Sequence, residues 1–473
     1  MTRSLAAVLL AVVVVPLAAC GEVPTNHLAD APPGGSDGGG GSDGASPGRV
    51  TVTALDSQGS AAPLVGAQVV FTDGKGSQRA VTDATGTASA SVDDGATLTV
   101  IGSTNGNNAS PFLQTVYGVK NGDHITLGTG RDFSDAGAFT VKFTPQQGVT
   151  NYEVFGPCSA TSVSNSTGGN SLSASLSFQT QCKQDPMELV IVGFEAGTGV
   201  ATISQDKTGV SFVNGGSTTL TGAFKPFITL AASFTNGSDD STVFLARLAP
   251  DNAGFESSVN ATIVQGTAKP TVTGPVVSTA LLQSDITRTG FGGQSVFQRI
   301  AGDATTYGLD IAGNVLPWLG AVTFDPAAQT IKVPVTTEGS KGDAPDLFAC
   351  EVGYARMAGT TGGPTTQFTW LIVTDKPGDV VLPTLPADLA GLSALASDTV
   401  GQADCVAVES DQIAGYDAAR LTPYTVFGFQ QDVRSITGVT REASSLQNRG
   451  TVRAVSRGHW SPLLGRRGAA RAR

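Results

Sequence analysis

The chain has 473 residues, of which 60 are glycine and 14% are charged, and its formal net charge is −11. Globular proteins average about 7% glycine and about 25% charged residues, so this composition favours turns and strands over long solvent-exposed helices. An acidic chain also argues against nucleic acid as a main partner, because phosphate binding requires clustered Lys and Arg.

The N-terminus has the pattern of a secretion signal. A single cation, Arg3, precedes an apolar run from Leu5 to Ala19, and this run is shorter than the roughly 20 residues that a membrane-spanning helix needs. It ends in Leu17-Ala18-Ala19-Cys20, which resembles the lipobox of bacterial lipoproteins. The resemblance implies cleavage before Cys20, a diacylglycerol group on the Cys20 thiol, and a third acyl chain on the new amino terminus.

This resemblance also predicts the location of the protein. Two or three acyl chains on Cys20 give stable anchoring to a membrane without a membrane-spanning helix. Residue 21 is Gly, whereas an Asp there retains Gram-negative lipoproteins in the inner membrane, so an extracytoplasmic position at the outer membrane or cell surface is expected. The alternative is an ordinary signal peptide that is cut near Ala19 and leaves Cys20 free.

Four further cysteines support export, because disulfides form in oxidising compartments. They are Cys158, Cys182, Cys350 and Cys405. Four cysteines allow three pairings, and the sequence-local pairing, Cys158–Cys182 and Cys350–Cys405, predicts one disulfide in each of two domains. The alternative is four buried free thiols. A zinc site is not expected, since the sequence has no Cys-x-x-Cys pair.

Composition and turn signals divide the chain into segments. Residues 1–19 are the signal peptide, and residues 20–48 are a flexible Gly/Ser/Asp-rich linker that contains GGSDGGGGSDG and lacks the apolar residues of a core. Short strand-like runs between turn residues then predict four β-rich units, at residues 49–103, 104–225, 226–338 and 339–440. The predicted fold is all-β, a tandem array of Ig-like β-sandwich domains behind a lipidated tether.

The first β-rich unit carries a second family resemblance. The runs PLVGAQVVF from Pro63 and TDATGTA from Thr82 resemble the bacterial Ig-like repeats of invasin and intimin, and they are similar to carboxypeptidase-regulatory-like modules. Gly66 and Gly86 suit turn positions with positive φ, and Asp83 can hydrogen-bond the turn backbone. The resemblance is confined to this unit and implies a stalk or spacer without catalytic residues.

Local patterns in the later units predict two further elements. Ala321–Phe324 and Ile331–Val335 are expected to form a hairpin around Asp325-Pro326, because Pro suits the second position of a type I turn. Ala387–Leu392 is expected to form a short helix.

The fourth unit also has a weak immunoglobulin pattern. The order Cys350, Trp370, Cys405 resembles the immunoglobulin core, in which a Trp packs on a disulfide. Ala403 stands where that family has a Tyr, so the sequence departs from the pattern at this position.

No catalytic site is predicted. The pattern G-x-S-x-G begins at Gly34 and Gly40, but a low-complexity linker lacks the strand-to-helix turn that a catalytic serine needs. The three histidines, His27, His124 and His459, are too scattered for a Ser-His-Asp triad or a histidine metal site. Apart from the covalent lipid, neither a cofactor nor a metal is expected.

A carboxylate pair is the feature that would make the protein an enzyme, because a glycosidase needs only two carboxyl groups. The candidates are Asp239 with Asp240, and Asp343 with Asp346, in loops that could also bind Ca²⁺ through oxygen ligands. The main hypothesis is a non-catalytic structural, adhesive or binding role at the cell envelope, with a cell-surface protein or polysaccharide as ligand. The alternative is a secreted polysaccharide-directed hydrolase with an Ig-like spacer.

The C-terminal residues 441–473 form a basic segment. They include eight Arg and one Glu, so this segment carries +7 and, from the total of −11, the rest of the chain carries −18. Few apolar residues predict a disordered tail, in which Thr451–Val455 could add to a sheet as an edge strand. Its arginines favour contact with lipid headgroups, acidic polymer or the acidic body, with Trp460 as an interfacial anchor. Truncation after Thr440 is expected to leave thermal stability unchanged.

Overall fold

The computed structural model describes residues 48–55, 62–103, 110–128, 134–157, 159–165, 169–180, 185–249, 255–341, 344–357, 365–422 and 438–446. All of them belong to the unit that spans residues 47–473. Strands dominate these residues, which confirms the predicted all-β fold. No helix within the described ranges is long and apolar enough to cross a membrane.

The N-terminal strands build a first sandwich. They are β1 (Val50–Ala54), β2 (Gln68–Asp73), β3 (Gly76–Val81), β4 (Thr87–Ala90), β5 (Ala96–Ser103), β6 (Pro111–Val119) and β7 (His124–Leu127). One layer has the order β4-β1-β7, and the other contains β3-β2-β5-β6. Alternate apolar residues of these strands, such as Val50, Val52 and Val69, are fully buried between the layers.

The turn that carries the Ig-like resemblance has the predicted geometry. Gly66 and Gly86 have φ values of 78° and 74°, and a Cβ on Gly86 would lie 2.5 Å from the Ala54 carbonyl oxygen. Asp83 Oδ1 accepts a hydrogen bond of 2.8 Å from the Thr85 amide. Glycine at position 86 therefore allows the turn to close against β1.

A second sandwich follows. Its strands are β8 (Asp135–Phe143), β9 (Val149–Gly156), β10 (Ser159–Ser164), β11 (Leu172–Gln179), β12 (Met187–Glu195), β13 (Ala201–Val210), β14 (Ser217–Leu220) and β15 (Lys225–Pro226). The sheet β11-β8-β14 faces the sheet β10-β9-β12-β13-β15. Phe143 and Tyr152 meet edge to face between them, with ring centroids 5.1 Å apart, so aromatic packing holds this core.

The third group of strands forms a small sheet and part of a long one. They are β16 (Ile228–Thr235), β17 (Ser241–Ala249), β18 (Phe255–Thr262), β19 (Thr271–Gly274), β20 (Thr279–Arg288), β21 (Gly293–Ala301) and β22 (Thr306–Asp310), followed by helix α1 (Ile311–Asn314). The small sheet β19-β16-β22 shares its core with β17, β20 and β21.

The remaining strands and helices either form the middle of the long sheet or lie next to it. They are β23 (Trp318–Leu319), β24 (Thr323–Asp325), β25 (Thr330–Lys332), β26 (Val335–Thr336), β27 (Leu347–Met357), β28 (Thr365–Thr374), β29 (Val380–Val381), a 3-10 helix (Ala390–Leu392), β30 (Thr399–Ser410), α2 (Gly415–Ala419) and β31 (Val439–Ser444). The predicted hairpin is confirmed: Phe324 pairs with Ile331, and Asp325 Oδ1 accepts from the Ala327 amide at 3.0 Å. The predicted helix at Ala387–Leu392 is shorter than expected, since only its last turn is helical.

Twelve strands form one continuous sheet, in the order β18-β17-β20-β21-β31-β30-β27-β28-β6-β5-β2-β3. We call it the long sheet. One of its faces packs on the layer β4-β1-β7 and the segment around α2, and the opposite face packs on the short strands β23 to β25 and the 3-10 helix. The long sheet therefore combines strands from all regions of the chain except the second sandwich.

Two predicted boundaries do not coincide with boundaries between sheets. Residue 104 falls between β5 and β6, which pair with each other, and β7 completes the first sandwich by pairing parallel to β1. The predicted boundary at residue 339 separates β27 from residues 316–333. Apolar residues of that range nevertheless share one core with β27. In both cases the boundary is set by contacts between strands that are distant in sequence, and turn residues along the chain carry no information about such contacts. Independent folding of each unit remains a prediction.

The predicted start of the tail at Arg441 is wrong. β31 runs from Val439 to Ser444 inside the long sheet, with Arg441 and Glu442 at 7% and 5% exposure. The sequence predicts a tail from this residue onward because two charges and few apolar residues are unusual in a buried strand. Residues 447–473, including the predicted edge strand at 451–455 and Trp460, lie outside the described residues.

Candidate functional site

The structure leaves the predicted lipid anchor and one predicted disulfide untested. The residues concerned lie outside the described ranges: Leu17, Ala18, Ala19, Cys20, Cys158 and Cys182. Their roles remain predictions from the sequence.

The other predicted disulfide is present between Cys350 and Cys405. The two residues lie directly opposite each other on the adjacent strands β27 and β30, with Cα atoms 4.1 Å apart. An immunoglobulin disulfide joins two sheets, whereas this one joins neighbouring strands of the same sheet. The predicted immunoglobulin pattern is therefore corrected at this point.

Trp370 nevertheless packs on the same face of the long sheet. It lies on β28 opposite Val352 and is fully buried in the core that contains both cysteines. Its indole Nε1 donates a 2.8 Å hydrogen bond to Thr115 Oγ1 on β6. The side chain thus fixes the junction between β28 and β6, where the C-terminal part of the sheet meets the first sandwich.

A pair of carboxyl groups lies next to the disulfide on the opposite face of the sheet. Glu351 on β27 is directly opposite Asp404 on β30, and side chains so placed have Cβ atoms about 5 Å apart. Gln402 Nε2 donates a 2.7 Å hydrogen bond to Asp404 Oδ2. Glu351 Oε2 is shielded from solvent and has no hydrogen-bond partner.

The surroundings of this pair keep a proton on Glu351. Burial, followed by the negative charge of Asp404, raises the pKa of Glu351 to about 8. A neutral carboxyl beside a carboxylate is an arrangement that enzymes use for acid–base chemistry. Here Glu351 shares its face of β27 with Leu347 and Ala349, which belong to the core of the first sandwich. Glu351 Oε2 is therefore shielded from solvent, whereas Asp404 is only partly buried and its hydrogen bond to Gln402 is exposed.

A second buried carboxyl lies on β31. Glu442 is flanked by Ser295 on β21 and Val408 on β30. Burial, followed by the charge of Asp285 on β20, raises the pKa of Glu442 to about 8. Gln283 Nε2 holds Asp285 through both carboxylate oxygens, at 3.0 and 2.9 Å.

The sequence carries a local signal for the burial of Glu351. Leu347, Ala349 and Glu351 alternate along one strand, so the pleat places the carboxyl on an apolar face. For Glu442 no comparable signal exists, because its own strand has few apolar residues and its burial depends on β21 and β30.

The carboxylates that the sequence did single out have local structural roles. Asp239 Oδ1 accepts from the Gly266 amide at 2.9 Å, and Asp240 pairs with Arg288 at 3.4 Å. Asp346 accepts from the amides of Ser410 and Gly415 at 2.8 and 3.0 Å, while Asp343 lies outside the described residues. These bonds hold loops and strand ends in place.

The same holds for the one histidine within the described residues. His124 Nε2 lies 2.9 Å from Thr53 Oγ1, which links β7 to its parallel neighbour β1. Across the described ranges, no group of three or more His, Cys, Asp and Glu side chains is arranged to hold a metal ion.

A buried ion pair joins α2 to the first sandwich. Arg420 Nε contacts Asp123 Oδ2 at 2.8 Å, with side-chain exposures of 2% and 9%. Arg420 also pairs with Asp417, and Tyr416 donates a 2.8 Å hydrogen bond to the Tyr117 carbonyl. These contacts fasten the segment after β30 to the turn between β6 and β7.

No known family and no curated protein matches the sequence. Among solved structures, the chain is similar to the Bacillus anthracis TIE protein, with 11% identity over 56% of this chain and 50% of that chain and a TM-score of 0.14. It is also similar to a Ca²⁺-stabilized adhesin that helps an Antarctic bacterium reach out and bind ice, with 12% identity, 77% and 95% coverage and a TM-score of 0.11. The chain spans about half the length of the first of these proteins. Neither similarity is close enough to bear on function.

Proposed function

We propose that the chain is an exported lipoprotein, anchored to a membrane through Cys20, whose all-β body has a structural, adhesive or binding role at the cell envelope. The proposed location rests on one observation, the motif Leu17-Ala18-Ala19-Cys20 at the end of a short apolar run. The ligand would be a cell-surface protein or a polysaccharide.

The side chains of the body support a non-catalytic role. Arg420, Arg441 and Asp346 all make contacts that join strands or loops. Glu351 lies in line with Leu347 and Ala349 of the core of the first sandwich, and its Oε2 is shielded from solvent. Ionisable groups used in this way contribute to the rigidity of a body that presents its surface and loops to a ligand.

Lipid attachment is tested by metabolic labelling with a palmitate analogue in cells that express the full chain. Wild type is expected to be labelled and to fractionate with membranes, and Cys20→Ser to be unlabelled and released or unprocessed. Cys405→Ser is the matched control, because it removes a cysteine elsewhere and should keep the label. A normally processed Cys20→Ser protein that stays with membranes would refute lipid anchoring.

The binding role is tested on whole cells. Cells that express wild type are expected to adhere to immobilised surface protein or polysaccharide, and cells that express Cys20→Ser to lose that adhesion and release the protein. Equal adhesion of both strains, and of a strain without the protein, would refute an adhesive role.

A polysaccharide-directed hydrolase is the second candidate, and the observation that favours it is the carboxyl pair Glu351–Asp404. Purified wild type would then release reducing sugar from a polysaccharide panel, and both Glu351→Gln and Asp404→Asn would abolish the release. Equal sugar release by wild type and both variants would exclude this pair as the catalytic site.

A further inference from the structure

One short strand joins the two parts of the long sheet. β31 pairs antiparallel with β21 on one side and with β30 on the other. In the order of strands, β18-β17-β20-β21 lies to one side of it and β30-β27-β28-β6-β5-β2-β3 to the other. The hydrogen-bonded continuity of the sheet therefore depends on the 6 residues of β31.

This strand has little apolar surface to hold it in place. Its sequence is VTREAS, and Thr440, Arg441 and Glu442 are among its buried residues. Burial of so few apolar atoms contributes little free energy. The attachment of β31 depends instead on backbone hydrogen bonds and on the state of its two buried ionisable groups.

Ion pairs fasten one face of β31. Arg441 Nη1 pairs with Glu409 and, at 3.0 Å, with Asp411 Oδ1, and Nη2 lies 3.2 Å from Asn314 Oδ1. Burial works against the charge of the guanidinium, but its hydrogen bonds to Asp411 and Glu409 outweigh burial and raise the pKa of Arg441. Burial also opposes the charge of Asp411, yet the bond from Arg441 lowers the pKa of Asp411. This face is therefore held by charge throughout the neutral pH range.

The other face carries Glu442, whose neighbours on the sheet do not compensate a negative charge. Its direct neighbours are Ser295 on β21 and Val408 on β30. One strand further, β20 contributes Asp285 and β27 contributes Leu347. Burial and the charge of Asp285 raise the pKa of Glu442 to about 8.

Other charged groups on this side of the sheet are directed elsewhere or are displaced along the strands. Arg299 is four residues beyond Ser295 on β21, which is roughly 13 Å along a strand, and Glu256 on β18 lies in the same row as Arg299. In the segment around α2, Asp417 pairs with Lys120 and Arg420 with Asp123. The buried Asp346, directly before β27, is held by the amides of Ser410 and Gly415. Within the described residues, Asp285 is thus the charge that acts on Glu442.

We propose that β31 is a pH-dependent clasp, which closes the long sheet while Glu442 is protonated and opens when Glu442 becomes ionised. A carboxylate in the closed sheet would lie in a buried position beside another carboxylate, and the ionised form is disfavoured there. Opening of the strand exposes Glu442 to water, where it ionises freely. An open clasp separates β21 from β30 and so uncouples the two parts of the sheet.

The direction and size of the effect follow from the two protonation states. Glu442 ionises at about 8 in the closed strand and near the ordinary value of 4.5 in the open one. Between these values opening releases a proton, so the equilibrium constant for opening rises about tenfold for each pH unit. Above about pH 8 both states are ionised and the rise ends.

Hydrogen exchange of the full-length protein, measured by mass spectrometry at pH values between about 5.5 and 7.5, tests the proposal. After correction for intrinsic exchange rates, the peptide that covers β31 is expected to show an opening constant that rises about tenfold per pH unit. Glu442→Gln, which imitates the protonated side chain, is expected to abolish this rise. A wild-type opening constant that does not change with pH would overturn the proposal.

Two comparisons separate the clasp from general unfolding. The peptide of β22, in the same protein but without a buried glutamate, should have a much smaller opening constant than β31 at every pH, and equal opening constants would mean global unfolding and refute a local clasp. Asp285→Asn removes the repelling charge, so the rise at β31 should end at a lower pH than in wild type. If Asp285→Asn behaves as wild type while Glu442→Gln fails to fold, the assignment to Glu442 is also rejected.

Discussion

Buried and partly buried ionisable side chains in this protein are of two kinds. Arg420 and Arg356 each have a carboxylate partner, Asp123 at 2.8 Å and Asp398 at 2.6 Å. Glu351 instead lies beside another carboxyl group, so the protein holds it in its neutral form. The first kind loses stability when one partner is removed, and the second kind makes stability depend on pH.

Replacement of Glu351 by Gln is expected to remove part of the pH dependence of stability. The folded protein keeps the proton of Glu351 up to about pH 8, whereas the unfolded chain releases it near 4.5. Stability should therefore fall as pH rises between these values, by about 1.4 kcal/mol per pH unit for this group. Urea denaturation at about pH 5 and pH 8 measures the slope, which Glu351→Gln should reduce.

The exposed Glu338 provides the control for this measurement, since its side chain is 79% exposed. Glu338→Gln should leave the slope unchanged. A slope in Glu351→Gln equal to that of wild type would contradict the raised pKa of Glu351.

Arg420→Ala should destabilise the protein by about 3–5 kcal/mol, because it leaves Asp123 buried without its cation. The control is Lys75→Ala, which breaks a pair with side-chain exposures of 76% and 52% and should leave the free energy of unfolding nearly unchanged, because solvent screens exposed charges. Chemical denaturation compares the two free energies of unfolding. Equal effects of both substitutions would show that the Arg420 pair is not a stabilising contact.

At the scale of elements, the neighbours of a segment determine whether it forms a strand more than its own composition does. The hairpin β24–β25 follows from its own residues, since Asp325 and Pro326 favour the turn and Phe324 and Ile331 face the core. β31 has no such local pattern, and it forms because β21 and β30 supply partners on both sides.

Truncation at two positions tests the role of β31. A chain that ends at Leu446 keeps the whole strand and should retain the melting temperature of wild type. A chain that ends at Thr440 loses Arg441 and leaves Glu409 and Asp411 without it, which should cost at least about 3 kcal/mol. Differential scanning calorimetry compares the melting temperatures of the two chains. Equal melting temperatures would show that the tail begins at Arg441 after all.

At the scale of the whole molecule, the long sheet makes regions that are distant in sequence depend on one another. β6 pairs with β5 of the same sandwich and, in parallel, with β28. One core contains Val50 and Leu98 of the first sandwich together with Leu281, Leu371 and Val408. Cores shared in this way favour cooperative unfolding over the independent melting of tandem domains.

The first sandwich offers a direct test of the predicted boundary at residue 104. A fragment of residues 49–103 lacks β6 and β7, so it should be unfolded by circular dichroism and by amide proton dispersion. A fragment of residues 49–128 contains both layers and should be at least partly structured. A folded fragment of residues 49–103 would show that the unit predicted from the sequence is complete without β6 and β7.

The sequence by itself determined the all-β class, the turn at Asp83 and Gly86 and the hairpin at Asp325, and it predicted the pairing of Cys350 with Cys405 among other possible pairings. Each of these depends on strand propensity, turn chemistry or proximity along the chain, which are local properties. Only the tertiary structure decided that Cys350 and Cys405 share one sheet, that β31 is buried and that Glu351 and Glu442 face carboxylates. These features require strands distant in sequence to be neighbours, and pairing over such distances is set by packing of the whole chain and not by any local pattern.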